Sequence, residues 1–128
     1  MRTTLLIGLL SSISWTAMSQ DSQFFFKAMN EGNSTALSML VDKQADFQIG
    51  DSRQKVNRNQ AEQMLETFFA PKSELQFLFR HESNTNENNG TRYKIGLLDT
   101  DSERYRVFVL FNMDAGNLSI AELAIESP

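Results

Sequence analysis

Apolar residues recur along this chain at two periods, and the change from one to the other falls near residue 74. Before it the spacing is helical. Phe25, Phe26 and Met29 repeat at helical intervals until Gly32, which reads as a C-terminal cap. Asn33 or Ser34 then caps a second short helix carrying Ala36, Leu37, Leu40 and Val41. Phe47 and Ile49 alternate with Asp46 and Gln48 as a short strand, Gly50-Asp51-Ser52 is a turn, and Val56 belongs to another extended piece. Asn57, with Gln60 three residues on, has the form of a capping box. It opens a helix with Ala61, Met64, Leu65, Phe68 and Phe69 on one face and Glu62, Gln63 and Glu66 on the other, which Pro71 ends.

From Glu74 onward the period is 2. Leu75, Phe77, Phe79 and His81 alternate with Gln76, Leu78, Arg80 and Glu82, and Tyr93, Ile95 and Leu97 alternate with Lys94, Gly96 and Leu98. Tyr105, Val107, Val109 and Phe111 form a third long strand. The last strand carries Leu118, Ile120, Leu123 and Ile125, so one extra residue breaks its alternation, and a β-bulge near Ala121-Glu122 keeps both apolar pairs on one face. Matching the odd-numbered apolar faces across each hairpin calls for an odd number of connecting residues, because a slip of one residue turns a whole apolar set to water. The first connection is therefore a polar loop over residues 84–90 that sets His81 opposite Tyr93, and the second takes three or five residues around Thr100-Asp101-Ser102.

Helices first and a curved antiparallel meander afterwards predict an α+β domain with N-terminal helices packed on one sheet face. That order resembles the cystatin-like cone of the nuclear transport factor 2-like superfamily. A narrower resemblance rests on Asn59-Gln60-Ala61-Glu62-Gln63-Met64-Leu65-Glu66-Thr67-Phe68-Phe69, with Tyr93-Lys94-Ile95-Gly96, Tyr105-Arg106-Val107-Phe108 and Ala121-Glu122-Leu123-Ala124-Ile125-Glu126. These segments resemble domain-of-unknown-function family 4783, small exported bacterial domains typical of Bacteroidota, over nearly all of residues 22–126. The family has no established activity, so the resemblance carries over no catalytic residue. The broader superfamily includes isomerases and dehydratases that work through pocket carboxylates, and its members often dimerise through the sheet.

Residues 1–19 have a different character. One early positive charge, Arg2, precedes the apolar run Leu5-Leu6-Ile7-Gly8-Leu9-Leu10, and Ala17-Met18-Ser19 fits a signal-peptidase site before Gln20. The run is far short of the ~20 residues a membrane-spanning helix needs. The expectation is a signal peptide over residues 1–19 and one domain over 20–128, exported to the periplasm or secreted, with no membrane anchor after cleavage. Of 128 residues 109 then remain, and losing Arg2 leaves 11 basic against 16 acidic side chains, a net charge of −5. This balance argues against nucleic acid as a partner, since such binding needs clustered basic charge. The chain has no Cys, which excludes both lipid attachment at a processed cysteine and disulfides.

Candidate chemistry is sparse. With no Cys and one His, the usual zinc ligand sets cannot be assembled within one chain, and no metal or cofactor is expected. Asp99-Thr100-Asp101-Ser102-Glu103 spaces acids as a calcium loop begins. However, Arg104 stands where the turn glycine belongs and Leu110 where the bidentate Glu belongs, so a polar hairpin turn is the better reading. His81, on the strand face of Phe77 and Phe79, is either a pocket histidine with Tyr93 beside it or a half-solvated residue at a strand end. Glu122, in the bulge, either turns into an apolar cavity suited to general-base work or turns out to water. No Gly-x-Ser-x-Gly elbow and no phosphate-cradling loop is present. The residues Phe24 to Phe26, Phe68, Phe69, Phe77 and Phe79 either line a cone for a small apolar ligand or fill it.

The even-numbered sheet face carries Leu78, Leu98, Phe108 and Leu110 among Arg80, Arg92, Lys94 and Arg106. A solvated face does not require large apolar residues, so this one is expected to be a protein interface, with a homodimer as the first candidate. The alternative is strong curvature with the chain ends folded over the patch. The sequence thus points to an exported, non-enzymatic domain that binds a small molecule or a protein. The competing reading is a small isomerase or dehydratase using the pocket His81 or Glu122.

Overall fold

Local capping chemistry shapes the N-terminal half of the fold. The computed structural model describes residues 20–82, 91–114 and 117–127; the expected signal segment over residues 1–19 and the loop over residues 84–90 lie outside these. Helix α1 (Gln20–Glu31) stops at Gly32, whose φ of +62° an L side chain adopts only under strain. Gly32 N–H donates to the Met29 carbonyl and Asn33 N–H to that of Ala28, the paired bonds of a Schellman cap. Asn33 also accepts from Ala36 N–H at 3.0 Å and so starts α2 (Ser34–Ser38), which turns the chain back within two residues. A Cβ on Gly32 would lie 2.7 Å from Leu75 Cδ1, a contact that the leucine tip can relieve by shifting, so it is the backbone φ that calls for glycine.

Strands β1 (Ala45–Ile49) and β2 (Ser52–Val56) form a hairpin. Helix α3 (Arg58–Phe69) opens on the expected capping box, with Gln60 N–H donating to Asn57 Oδ1 and Asn57 N–H to Gln60 Oε1, each at 2.9 Å. Strands β3 (Gln76–Glu82), β4 (Thr91–Asp99), β5 (Arg104–Asp114) and β6 (Asn117–Glu126) follow as a meander. The six-stranded sheet has the order β2-β1-β6-β5-β4-β3. One pairing departs from the antiparallel expectation: β6 returns beside β1 and runs parallel to it, with Phe47 opposite Leu123.

The helices cover one sheet face. Phe25, Met29, Leu37, Leu65 and Phe69 meet Phe47, Phe77, Leu98, Val107, Val109, Phe111, Leu123 and Ile125 in one buried cluster. Phe25 anchors its aromatic part, with ring centroids 5.9 Å from Phe77 and 5.5 Å from Phe111, both edge-to-face. Among the described residues, Phe25 and Phe77 thus fill the helix side of the sheet rather than line an opening. The bulge falls where the broken alternation placed it: Leu110 pairs with Glu122 and Phe111 with Ile120, leaving Ala121 as the extra residue.

Strand β4 is turned over relative to the sequence expectation. Its core-facing residues are Lys94, Gly96 and Leu98, while Tyr93, Ile95 and Leu97 face away from the helices. The reason is steric. A Cβ on Gly96 would lie 2.6 Å from both Phe77 Cζ and the Leu78 carbonyl oxygen, so the Phe77 ring occupies the space that a side chain at position 96 would take. Lys94 is 5% exposed and lays its ammonium over the Phe79 ring, 4.8 Å from the centroid. Asp99 consequently pairs with Arg104, and the second connection has four residues, 100–103, not three or five.

Candidate functional site

The face away from the helices is read from the ladder register. Three adjacent rows of its side chains cross the strands at the middle of the sheet. The first runs Glu126, Arg106, Leu97, Leu78 from β6 to β3. The second runs Arg53, Gln48, Ala124, Phe108, Ile95, His81 across the whole sheet. The third runs Lys55, Asp46, Glu122, Leu110, Tyr93. The face therefore has two halves. The middle of β3, β4 and β5 presents an apolar and aromatic half, and β6, β1 and β2 present a charged half.

The apolar half is open. Leu78 is 49% exposed, and Tyr93, Ile95, Leu97, Phe108 and Leu110 are each only partly buried. Tyr93 stacks on Phe108 with centroids 5.7 Å apart, and His81 lies 6.1 Å from Tyr93. Leu78, Phe108 and Leu110 stand where the sequence placed them. Leu98 does not: it is fully buried against the helices, because the reversal of β4 exchanges it for Leu97. The reversal also moves Lys94 off this face and puts Tyr93 and Ile95 onto it.

His81 is displaced as well. A register shift between Phe79 and His81 makes Arg80 a bulged residue, so Phe79 pairs with Gly96 on the core face while His81 pairs with Ile95 on the outer face. His81 is thus opposite Ile95, not Tyr93, and parts company with Phe77 and Phe79. Being exposed, it has no apolar enclosure. Glu122 takes the outward of its two readings, with its carboxylate 3.9 Å from Arg53. Three strand spacings separate β3 from β6, roughly 14 Å at ~4.8 Å each. His81 and Glu122 therefore stand too far apart to hydrogen-bond to each other.

The charged half is laced by exposed ion pairs: Arg53 with Glu122, Lys55 with Asp46 at 3.6 Å, and Arg106 with Glu126 at 3.3 Å. Between them sits Ala124, the smallest side chain of the middle row. Its short methyl leaves a groove of about 380 Å³ floored by Ile95, Phe108 and Ala124 and walled by Gln48, Arg53, Arg106, Glu122 and Glu126. Of these walls the sequence had singled out only Glu122 as a site residue. The signal that was available is parity: with Phe47 inside, Asp46 and Gln48 must face out, as must Glu122, Ala124 and Glu126 once the bulge is placed.

The acidic turn after β4 resolves as a hairpin. Thr100 accepts from the Ser102 and Glu103 N–H groups, and Arg104 donates to both Asp99 oxygens at 2.6 and 3.2 Å. That guanidinium holds the Asp99 carboxyl below its ordinary value, and Asp99 raises Arg104 in return. Next to them, burial and then the Glu103 carboxylate push the Tyr105 phenol up.

Known proteins share this fold. The family model for a domain of unknown function (DUF4783) matches residues 23–126. A DUF4783 family protein from Bacteroides uniformis is 21% identical with a TM-score of 0.74, the match covering 83% of this chain and 95% of that one. A domain of unknown function with a cystatin-like fold from Nostoc punctiforme is 12% identical, TM-score 0.66, covering 84% and 72%. An NTF2-like protein of unknown function from Shewanella baltica is 10% identical, TM-score 0.64, covering 84% and 87%. No curated protein matches the chain. With the family model spanning most of the chain, this protein belongs to the DUF4783 family, and its helices laid on one face of a six-stranded sheet give it an α+β fold like that of the cystatin-like and NTF2-like structures.

Proposed function

We propose that this protein is an exported, non-catalytic binding domain whose working surface is the outer face of the sheet. The observation that carries this reading is the apolar half of that face, where Leu78 is exposed and its neighbours are partly exposed. Leu78, Tyr93, Ile95, Leu97, Phe108 and Leu110 turn away from a core that is complete without them. Strand β4 carries the decisive residues: it places a glycine and a lysine beside Leu98 on the core side and keeps three large apolar residues, Tyr93, Ile95 and Leu97, outside. Contiguous apolar surface of this kind is uncommon on monomers and marks interaction sites. The partner in this reading is a second copy of the chain, docked face to face about a two-fold axis so that each apolar half meets the other. The isomerase or dehydratase reading has less support, because His81 and Glu122, either of which it would use, both stand on the open outer face and not in an apolar cavity.

Export rests on residues 1–19, read as a cleavable signal. Light scattering coupled to size exclusion on residues 20–128 tests the association. Twice the chain mass at micromolar concentration is the expected result, with L78E returning the monomer mass, since it buries a carboxylate in the apolar contact. A wild-type protein that elutes at monomer mass under those conditions removes the dimer.

A further inference from the structure

The groove over Ala124 is a separate feature of the same face, and a role for it rests on the reading of that face as the working surface. Its chemistry is mixed in a particular way. Two guanidiniums, Arg53 and Arg106, and two carboxylates, Glu122 and Glu126, surround a floor of Ile95, Phe108 and Ala124, with the Gln48 amide beside Arg53. The four charges cancel, and each sits in a loose exposed pair at 3.9 or 3.3 Å. Such pairs are held by little free energy and re-form readily with a better partner.

That balance selects the occupant. An anion that draws an arginine away leaves Glu122 or Glu126 without its cation, and a cation that takes a glutamate leaves an arginine bare. Only a molecule that carries both signs satisfies both sets, and the apolar floor asks it to bring an apolar side chain. The volume of about 380 Å³ lies at the small end of the range, roughly 300–1,000 Å³, that suits small organic ligands. We infer that this groove binds a short zwitterionic peptide of two or three residues with an apolar side chain. The apolar side chain lies on Phe108 and Ile95, the peptide carboxylate meets Arg53 or Arg106, and its ammonium meets Glu122 or Glu126. Arg53 and Gln48 are on hand for the anionic end because Arg53 already reaches the Gln48 side-chain oxygen at 3.5 Å.

Calorimetric titration of residues 20–128 with the dipeptide Leu-Phe tests this, beside the same peptide N-acetylated, the same peptide C-amidated, and free leucine. Leu-Phe is expected to bind, and each blocked form to bind about tenfold more weakly, because each loses one charge-assisted contact. Free leucine should be weaker still. A124L, which fills the groove, should abolish binding. R53Q, a surface change that leaves the fold intact, should weaken the free peptide several-fold and bring it closer to the C-amidated one. Equal affinity for all three peptides, undiminished binding by A124L, or no binding of Leu-Phe at about 10 mM overturns the inference. L78E separates this from the association of two copies. Leu78 stands outside the groove, whereas Ile95 and Phe108 belong to both surfaces. Association therefore competes with the peptide, and L78E should bind Leu-Phe at least as tightly as the wild type. A monomeric L78E that has lost the peptide overturns the inference. If the wild type proves monomeric and Leu-Phe still binds, the dimer falls and the groove stands.

Discussion

Replacing Gly96 by Ala gives the sharpest test of which way β4 faces, because the two orientations predict opposite signs. In the structure a Cβ at position 96 lies 2.6 Å from Phe77 Cζ, 2.7 Å from Phe77 Cε1 and 2.6 Å from the Leu78 carbonyl oxygen. Neither neighbour yields cheaply. Phe77 is 1% exposed and held by Phe25 and Phe79, and the carbonyl belongs to the β3 backbone that pairs with β4. Overpacking of this kind costs about 1–3 kcal/mol, and a contact with backbone belongs in the upper part of that range. For a domain of this size each kcal/mol moves the midpoint by roughly 4–8 °C, so G96A should melt about 8–20 °C below the wild type. If position 96 instead faced solvent, alanine would relieve the entropic cost of glycine in a strand and stabilise by about 0.5–1 kcal/mol. Thermal unfolding followed by circular dichroism reads the difference directly. A midpoint for G96A at or above that of the wild type refutes the assignment of faces, and with it the identity of the residues on the open surface.

Three further outcomes rest on particular contacts and on the first segment. Asn57→Ala removes half of the α3 capping box and should cost about 1 kcal/mol in urea unfolding, whereas an unchanged midpoint would show that the box contributes nothing. The Asp99 carboxyl should titrate below the ordinary ~3.9 when followed by carbon NMR. Its pairing with Arg104 therefore stabilises the fold above that pH and is lost as pH falls through the depressed value. In D99N that part of the acid sensitivity should disappear, and a wild-type Asp99 titrating at or above the ordinary value would contradict it. Expressed with residues 1–19 in a Gram-negative host, the protein should be recovered from outside the cytoplasm with Gln20 at its N-terminus. An intact chain retained in the cytoplasm would end the export reading.

What could be read from the sequence was set by local chemistry. Gly32 and Asn33 supply a left-handed residue and a cap with few alternatives, Asn57 and Gln60 satisfy each other's orphan groups, and the spacing of Ile120 and Leu123 needs a bulge whatever surrounds it. The orientation of β4 was not legible in this way. Its alternation is real, but the apolar residues are not the inward set, because the Phe77 and Phe79 rings require a glycine beneath them and a lysine whose stem can lie along them. One reversed strand then misplaces Leu98, changes the length of the turn after Asp99, and puts His81 opposite a different neighbour. The bulge at Arg80 leaves no mark in the alternation either, since Phe77, Phe79 and His81 read as one continuous face. The groove was hidden for a different reason. Arg53 and Glu122 are 69 positions apart, and only the parallel return of β6 beside β1 brings them together across the sheet.

The central claim is that the outer sheet face is where this domain makes its contacts, and methyl NMR tests it residue by residue. Spectra of residues 20–128 should shift with concentration at the methyls of Leu78, Ile95, Leu97 and Leu110, and on adding Leu-Phe at those of Ile95 and Ala124. The methyls of Leu65, Leu98, Leu123 and Ile125, buried beneath the helices, should stay in place in both titrations. Shifts confined to the helix-side methyls, or an outer face unmoved while the protein associates through another surface, would contradict it.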